Sequence, residues 1–157
     1  MPTNRQLLIA IGLTCFALIA AALYLQHVQH MLPCPRCVIQ RYAFIIAGIL
    51  ALMGAYLPRP KLWAGLALVS TVVGGVNAVK LIEVINNPGV SCGIDPMETM
   101  LNKIPTATGL PWLFKADGLC EAAGEGFLGL PVPYWSAIWF AILLLSLAFV
   151  LARRVRP

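Results

Sequence analysis

The stretch LLIAIGLTCFALIAAALYL, residues 7–25, contains no charged side chain over 19 positions. A helix needs about 20 apolar residues, range roughly 17–25, to cross the ~30 Å hydrocarbon core of a bilayer. Three further apolar runs follow, at about residues 38–57, 62–79 and 134–152. Each predicts a membrane-spanning helix, because lipid offers no partner for free backbone N–H and C=O groups. The predicted fold is therefore all-α and integral to the membrane, an antiparallel bundle of four transmembrane helices.

The composition supports a membrane setting for the whole chain. Of its 157 residues, 60% are hydrophobic and 11% are charged, with a mean hydropathy of +0.84. Soluble domains contain roughly 25% charged residues. This deficit excludes a soluble enzyme, a disordered chain and a collagen-like fibre, and the length predicts one membrane domain over residues 1–157. The net charge of +5 does not indicate nucleic-acid binding, because the basic residues lie mostly at the edges of apolar runs.

The charged residues also predict the orientation of the bundle. The two termini and the turn at 58–61 contain no acidic residue and six basic ones: Arg5, Arg59, Lys61, Arg153, Arg154 and Arg156. All six acidic residues lie in the connections at 26–41 and 80–133, with the other five basic residues. The positive-inside rule places both termini in the cytoplasm and the long connections outside. A cleaved signal peptide is the alternative for the first run, but a 19-residue run exceeds the usual 7–15-residue h-region.

Four of the five cysteines fall in the two outer connections, about residues 26–37 and 80–133. Cys15 lies in the middle of the first span and is interpreted as a small buried hydrophobe. An even set of cysteines on the oxidising side of a membrane predicts disulfides. One pair is Cys34 and Cys37, in the sequence Cys-Pro-Arg-Cys, and the other is then Cys92 with Cys120.

The two pairs differ in physical character. A Cys92–Cys120 disulfide would close a long loop, worth about 3–4 kcal/mol on the chain-entropy model. A Cys34–Cys37 disulfide closes almost nothing, and C-x-x-C is the spacing of redox-active pairs. The flanking prolines predict that the second helix begins around Cys37, where the helix dipole, Arg36 and Arg41 would favour a thiolate.

Two other interpretations of these cysteines stay open at this point. Four thiolates could bind zinc, although zinc sites usually use two close-spaced pairs. Both disulfides could also be purely structural.

Arg41 follows Cys37 by four residues, one helical turn further on the same face. It could be an interfacial arginine that snorkels to lipid headgroups. Alternatively, it could donate to a carbonyl oxygen of a bound quinone and stabilise the developing quinol anion.

The chain resembles the bacterial DsbB family, the inner-membrane quinone reductases that reoxidise the periplasmic thiol oxidase DsbA. Four spans, the first C-x-x-C, Arg41 and two lone cysteines in the second outer connection all match. So do Gln26-His27-Val28 before the first pair and Phe127-Leu128-Gly129-Leu130 before the last span. A vitamin K epoxide reductase-like enzyme is the rival thiol–quinone family, but its redox pair lies late in the chain.

The resemblance implies a route for two electrons to ubiquinone or menaquinone. A reduced DsbA-like partner is expected to attack Cys92–Cys120, with Cys92 forming the mixed disulfide. Cys120 is expected to reduce Cys34–Cys37 through Cys34. Cys37 is then the thiolate that meets the quinone, and Arg41 holds the ring. Pro35 and Arg36 depart from the apolar residues of the best-known member, so the reduction potential need not match that member's.

The second outer connection carries three smaller predictions. Pro96–Ile104 is predicted to form a short helix capped by Asp95. The apolar run at 110–114 is predicted to lie in the membrane interface. Lys80 and Glu83 are predicted to form an interfacial ion pair, with a role in a quinone pocket as the alternative.

Overall fold

The structure, a computed structural model, describes residues 2–87, 89, 94–118, 124 and 126–153. Its four long helices are α1 (Asn4–Val28), α2 (Pro35–Tyr56), α3 (Pro60–Asn86) and α7 (Val132–Ala152). Each is long and apolar enough to cross a membrane. The four predicted spans are confirmed as helices. Each begins before its predicted apolar run, and α1 and α3 also continue beyond it, because hydropathy marks the apolar part of a helix and not its caps.

The long helices are arranged in an antiparallel order. Short connections join α1 to α2 and α2 to α3. The centre of the bundle is α2, which packs against both neighbours, while α3 packs against α7 and α1 meets α7 over a smaller area. Asn86 Nδ2 donates to the Tyr134 hydroxyl at 3.0 Å, which ties the end of α3 to the start of α7.

Large apolar side chains cover the outside of the bundle. Leu13, Val69 and Leu145 are 60%, 63% and 73% exposed. A soluble helix bundle buries such side chains and exposes charged ones. This outward apolar surface is typical of helices that face lipid.

Small residues bring α2 and α3 into close contact. Ala43, Ala47 and Ala51 are buried along one face of α2, and Ser70 Oγ of α3 donates to the Ala43 carbonyl at 2.9 Å. Such approaches are typical of membrane helices, which associate through small residues and interhelical hydrogen bonds.

Short elements fill the second outer connection: α4 (Ile94–Asn102), α5 (Pro105–Gly109), α6 (Pro111–Phe114), β1 (Gly126–Phe127) and β2 (Leu130–Pro131). The predicted helix at Pro96–Ile104 is present but displaced toward the N-terminus. Asp95 is therefore the second residue of α4 and not its N-cap, so that prediction is wrong. A proline is tolerated within the first turn, where backbone N–H groups have no intrahelical partner.

The two strands form a hairpin that the sequence does not predict. Its turn residues, Leu128 and Gly129, both have positive φ angles, 53° and 85°. Positive φ at both central residues is the geometry of a type I′ turn, where Asn-Gly is the common sequence and leucine is rare. Trp135 Nε1 donates to the Phe127 carbonyl at 2.9 Å and fastens the hairpin to α7.

The region around α5 and α6 is packed onto α2. Ala107, Phe114 and Ala116 form a buried cluster with Val38 of α2. The Phe114 ring stacks on Tyr42 at 4.4 Å between centroids. Leu110 and Trp112 of the apolar run remain exposed, and their location in the membrane interface stays a prediction.

Replacing Gly74 by alanine should destabilise the bundle. A Cβ there would overlap the Phe140 ring and lie 2.8 Å from the Ala43 Cβ. Phe140 is itself stacked on Phe44 at 4.0 Å and cannot move aside without disturbing the core. We expect G74A to lower the free energy of unfolding by about 1–3 kcal/mol, as overpacked cores do. Thermal unfolding in detergent measures this.

Gly75 provides the matched control, because a Cβ at that position meets only the Phe140 Cβ, at an ordinary 3.6 Å. G75A should leave the unfolding temperature unchanged or raise it, since alanine is the better helix former. Equal effects of the two substitutions would contradict the packing described here.

Candidate functional site

The first turn of α2 contains the Cys34–Cys37 motif. Cys34 is the N-cap, and its sulfur accepts a hydrogen bond from the Cys37 backbone N–H at 3.2 Å. Pro35 is the first helical residue, so the helix begins two residues before the predicted start around Cys37. Proline suits this position, because its φ angle is already helical and its missing N–H would have no partner there. Cys37 is the third helical residue, still within the first turn.

The two cysteines have different surroundings. Cys34 is fully buried and packs with Leu81 and Val84 near the end of α3. The pKa of the Cys34 thiol is raised well above its usual range, first by its hydrogen bond to the Cys37 sulfur and then by burial. Cys37 is only partly buried and lines a cavity. Cys34 is therefore a buried thiol, whereas Cys37 lies at the wall of the cavity.

The cavity beside Cys37 has a volume of about 670 Å³. This is within the ~300–1,000 Å³ typical of small-molecule sites. Its walls come from all four long helices, from residues 30–33 of the first outer connection, and from Asp117, Gly118 and the hairpin of the second. Most of the lining side chains are apolar. They include Leu18, Ile19, Phe127, Val132 and Trp139.

One face of α2 brings a thiol, an amide and a guanidinium group to the cavity. Cys37, Gln40, Arg41 and Phe44 all line it. Their spacing of i, i+3, i+4 and i+7 places them on one helical face. The prediction that Arg41 shares a face with Cys37 is therefore confirmed.

Arg41 is held in a fixed position by two other segments of the chain. It is 6% exposed, and its Nη1 donates to Gln26 Oε1 and to the Leu113 carbonyl, both at 2.7 Å. Both bonds use Nη1, and neither Nε nor Nη2 makes a hydrogen bond with the described residues. An arginine fixed inside the protein is not one that snorkels to headgroups. Gln26 lies 15 residues before Arg41, and nothing in the sequence marks the two as hydrogen-bond partners.

The two outer connections meet next to Cys34. The backbone N–H groups of Asp117 and Gly118 both donate to the Pro33 carbonyl, at 3.2 and 2.9 Å. Gly118 is required at this contact, because a Cβ would overlap the Leu32 carbonyl oxygen and lie 3.0 Å from the Pro33 carbonyl carbon.

Arg36 lies against α3 and does not line the cavity. Its Nη1 donates to Asn77 Oδ1 at 3.3 Å, and its buried Nε has no partner among the described residues. The predicted ion pair between Lys80 and Glu83 is wrong, because no contact within 4.0 Å joins them. Neither side chain lines the cavity, so the alternative role in a quinone pocket has no support.

Of the other three cysteines, the structure describes only Cys15. Cys92 and Cys120 lie outside the described residues, and their pairing stays a prediction. Cys15 is buried in the core, as expected for a small hydrophobe. Within the described part of the chain, no group of three or more His, Cys, Asp and Glu side chains could bind a metal. The four-thiolate zinc site would need Cys92 and Cys120, so it is not tested.

Comparisons with known proteins identify one family over nearly the whole chain. Residues 4–150 match the family model described as disulfide bond formation protein DsbB. A protein from Cupriavidus necator is 47% identical over 152 residues, which cover 96% of this chain and 94% of that protein. One from Herminiimonas arsenicoxydans is 44% identical, with 98% and 99% covered. Both are named disulfide bond formation protein B.

In the fully reduced protein, an alkylating reagent should react with Cys37 before Cys34. Only the thiolate is strongly nucleophilic, and the raised pKa and full burial of Cys34 keep it a protected thiol. We expect the alkylation rates to differ at least about tenfold at neutral pH. Proteolysis after Pro35 or Arg36 puts the two cysteines in different peptides, and mass spectrometry then measures the labelling of each.

Cys15 serves as an internal reference for a buried thiol, and it should also react slowly. At about pH 8.5 Cys34 should still react more slowly than Cys37, because its pKa is raised and its side chain is fully buried. Labelling of Cys34 at the rate of Cys37, or faster, would contradict the assigned difference.

Proposed function

The chain belongs to the DsbB family of disulfide bond formation proteins, and from this premise we propose that it oxidises a periplasmic DsbA-like dithiol protein and passes the electrons to membrane quinone. One observation carries the quinone part of this proposal. Cys37 and Arg41, one turn apart on α2, line the same cavity between helices that can span a membrane. A lipid-soluble acceptor can reach a thiol only in such a place.

The proposed electron route contains two thiol–disulfide exchanges. The partner's dithiol attacks the Cys92–Cys120 disulfide, with Cys92 forming the mixed disulfide, and leaves as a disulfide. The resulting Cys120 thiolate attacks Cys34 and releases the Cys37 thiolate. Cys92 then attacks Cys120, which frees Cys34 and re-forms the Cys92–Cys120 disulfide. Each exchange breaks one S–S bond, forms another and moves two electrons. This part of the route is supported by the family and by the location of these cysteines in the outer connections.

Cys37 is the residue that delivers electrons to the cavity. Cys37 is part of the cavity lining, whereas Cys34 is buried against α3. A quinone supplies an acceptor for two electrons and two protons, which balances the oxidation of one dithiol to one disulfide. The burial of Cys34 has a further consequence, because another thiol can reach it only when the packing around it opens.

Arg41 stabilises the negative charge that develops on a ring oxygen during reduction. Its hydrogen bonds to Gln26 and Leu113 fix the guanidinium before a ligand arrives. A donor that is already oriented, in a largely apolar cavity, loses little free energy in reorganisation. The N–H groups of Arg41 that have no described partner are the ones available to the ligand.

The proposed setting is the bacterial inner membrane, with the redox cysteines in the periplasm and both termini in the cytoplasm. The four apolar helices support a multi-pass protein. The concentration of basic residues in the termini and the 58–61 turn supports the orientation. Disulfides also form and persist in oxidising compartments, of which the periplasm is one.

The direct test measures loss of quinone absorbance when purified protein, ubiquinone or menaquinone, and a reduced DsbA-like protein are mixed. We expect turnover that requires all three components and is abolished by C37S. C15A is the matched control, because Cys15 is buried away from the cavity and should be dispensable.

The absence of turnover in a folded protein with formed disulfides would refute the proposed function. In that case, zinc analysis of protein purified without oxygen would decide between a metal-binding protein and a structural one. Membership of the DsbB family already favours this chemistry over that of a vitamin K epoxide reductase-like enzyme.

Replacing Arg41 by histidine should weaken quinone binding while leaving the Cys34–Cys37 disulfide able to form. A hydrogen bond to a charged group contributes about 1.5–3 kcal/mol, so we expect KM for quinone to rise roughly 10- to 150-fold. R5H is the control, because Arg5 lies at the other end of the bundle over Tyr56. An unchanged KM for quinone in R41H would rule out this role for Arg41.

A further inference from the structure

Gln40 lines the cavity, and one polar atom of its side chain has no hydrogen-bond partner in the described part of the chain. The residue is 4% exposed, and its amide nitrogen Nε2 is buried without a hydrogen-bond partner among the described residues. Buried polar groups in folded proteins are nearly always paired, and an unpaired one calls for a specific explanation. A ligand with a hydrogen-bond acceptor is such an explanation when the group lines a cavity.

The position of Gln40 connects it to the reacting groups. It follows Cys37 by three residues, precedes Arg41 directly, and lines the same cavity as both. His30, Asp117 and Ser136 are other polar residues in the lining, but none of them makes a hydrogen bond with Gln40 Nε2. The amide therefore stands in a mainly apolar wall, where an acceptor from the ligand is the available partner.

We propose that Gln40 Nε2 donates a hydrogen bond to one ring carbonyl of the quinone, and that Arg41 donates to the other. This inference rests on the proposed function. Adjacent residues of a helix project in directions about 100° apart, so their donors approach a flat ligand from different sides. A para-quinone has its two acceptor oxygens on opposite sides of the ring. Two donors at successive positions then orient the ring with respect to the Cys37 sulfur.

A side-chain amide also suits both redox states of the ligand. The NH₂ group of glutamine donates, and its oxygen accepts. The carbonyl oxygen of a quinone needs a donor, whereas the hydroxyl of a quinol offers a proton and needs an acceptor. Gln40 can satisfy each in turn by rotating its amide, without introducing a second charge into the apolar wall.

The substitution Q40M tests this assignment, because methionine keeps the length of the side chain and removes the donor. We expect the quinone dissociation constant to rise about tenfold, as the loss of one hydrogen bond implies. Quenching of tryptophan fluorescence measures binding, since Trp135 and Trp139 line the cavity. Thermal stability of the quinone-free protein should stay the same or increase, because an unpaired buried amide is removed.

The control is Q29M, since Gln29 is exposed at the end of α1 and does not line the cavity. It should change neither affinity nor stability. Infrared spectra of quinone labelled with ¹³C at single carbonyls provide a second readout. In Q40M, one carbonyl stretch should move to the frequency of a free carbonyl, and R41H should release the other.

Three results would overturn the assignment. Unchanged quinone affinity in Q40M together with lower stability would make Gln40 a structural residue. A loss of affinity for a short-chain ubiquinone but not for a short-chain menaquinone would place the hydrogen bond on a methoxy oxygen. Failure of the wild-type protein to bind either quinone would refute the proposed function itself, and with it this inference.

Discussion

The register of α2 depends on the hydrogen bond between the Cys37 backbone N–H and the Cys34 sulfur. This bond caps the helix in its first turn, with Pro35 supplying a backbone angle that is already helical. Every residue that lines the cavity from α2 is placed by counting from that turn. A shift of one residue would rotate each of these side chains by about 100° around the helix axis. The Cys34–Cys37 motif therefore determines which residues of α2 line the cavity beside Cys37.

The four spans could be predicted from the sequence, because hydropathy reports directly which solvent a helix faces. The shared face of Cys37 and Arg41 could be predicted for a similar reason, since the period of a helix is constant. The partners of Arg41 could not, because Gln26 and Leu113 are distant in the chain and carry no pairing signal. The isolation of Gln40 is equally invisible in sequence, since an unpaired group is recognised only when all its neighbours are known. The preference of proline for the first helical position favours a start at Pro35, whereas the restriction on residues before Pro33 and Pro35 favours a start near Cys37.

The site is assembled from three separate parts of the chain around a single guanidinium group. Gln26 comes from the end of α1, Arg41 from α2, and the Leu113 carbonyl from α6 in the second outer connection. The connection therefore does more than carry Cys92 and Cys120, because it also completes the shell around the residue proposed to bind quinone. Stacking of Phe114 on Tyr42 reinforces the same attachment. Changes in the connection can thus reach the cavity beside Cys37 without altering any residue of α2.

The contact between Gly118 and the Pro33 carbonyl has a kinetic consequence for the proposed exchange. Cys120 follows Gly118 by two residues in the sequence, and Cys34 follows Pro33 directly. Only short stretches of chain therefore separate each cysteine from this contact. The effective concentration of the Cys120 thiol around Cys34 is set by the length of those stretches. Inserting residues between 118 and 120 would lower the effective concentration of the Cys120 thiol at Cys34. The distance between two redox centres would then be tuned by loop length alone, with every reacting group unchanged.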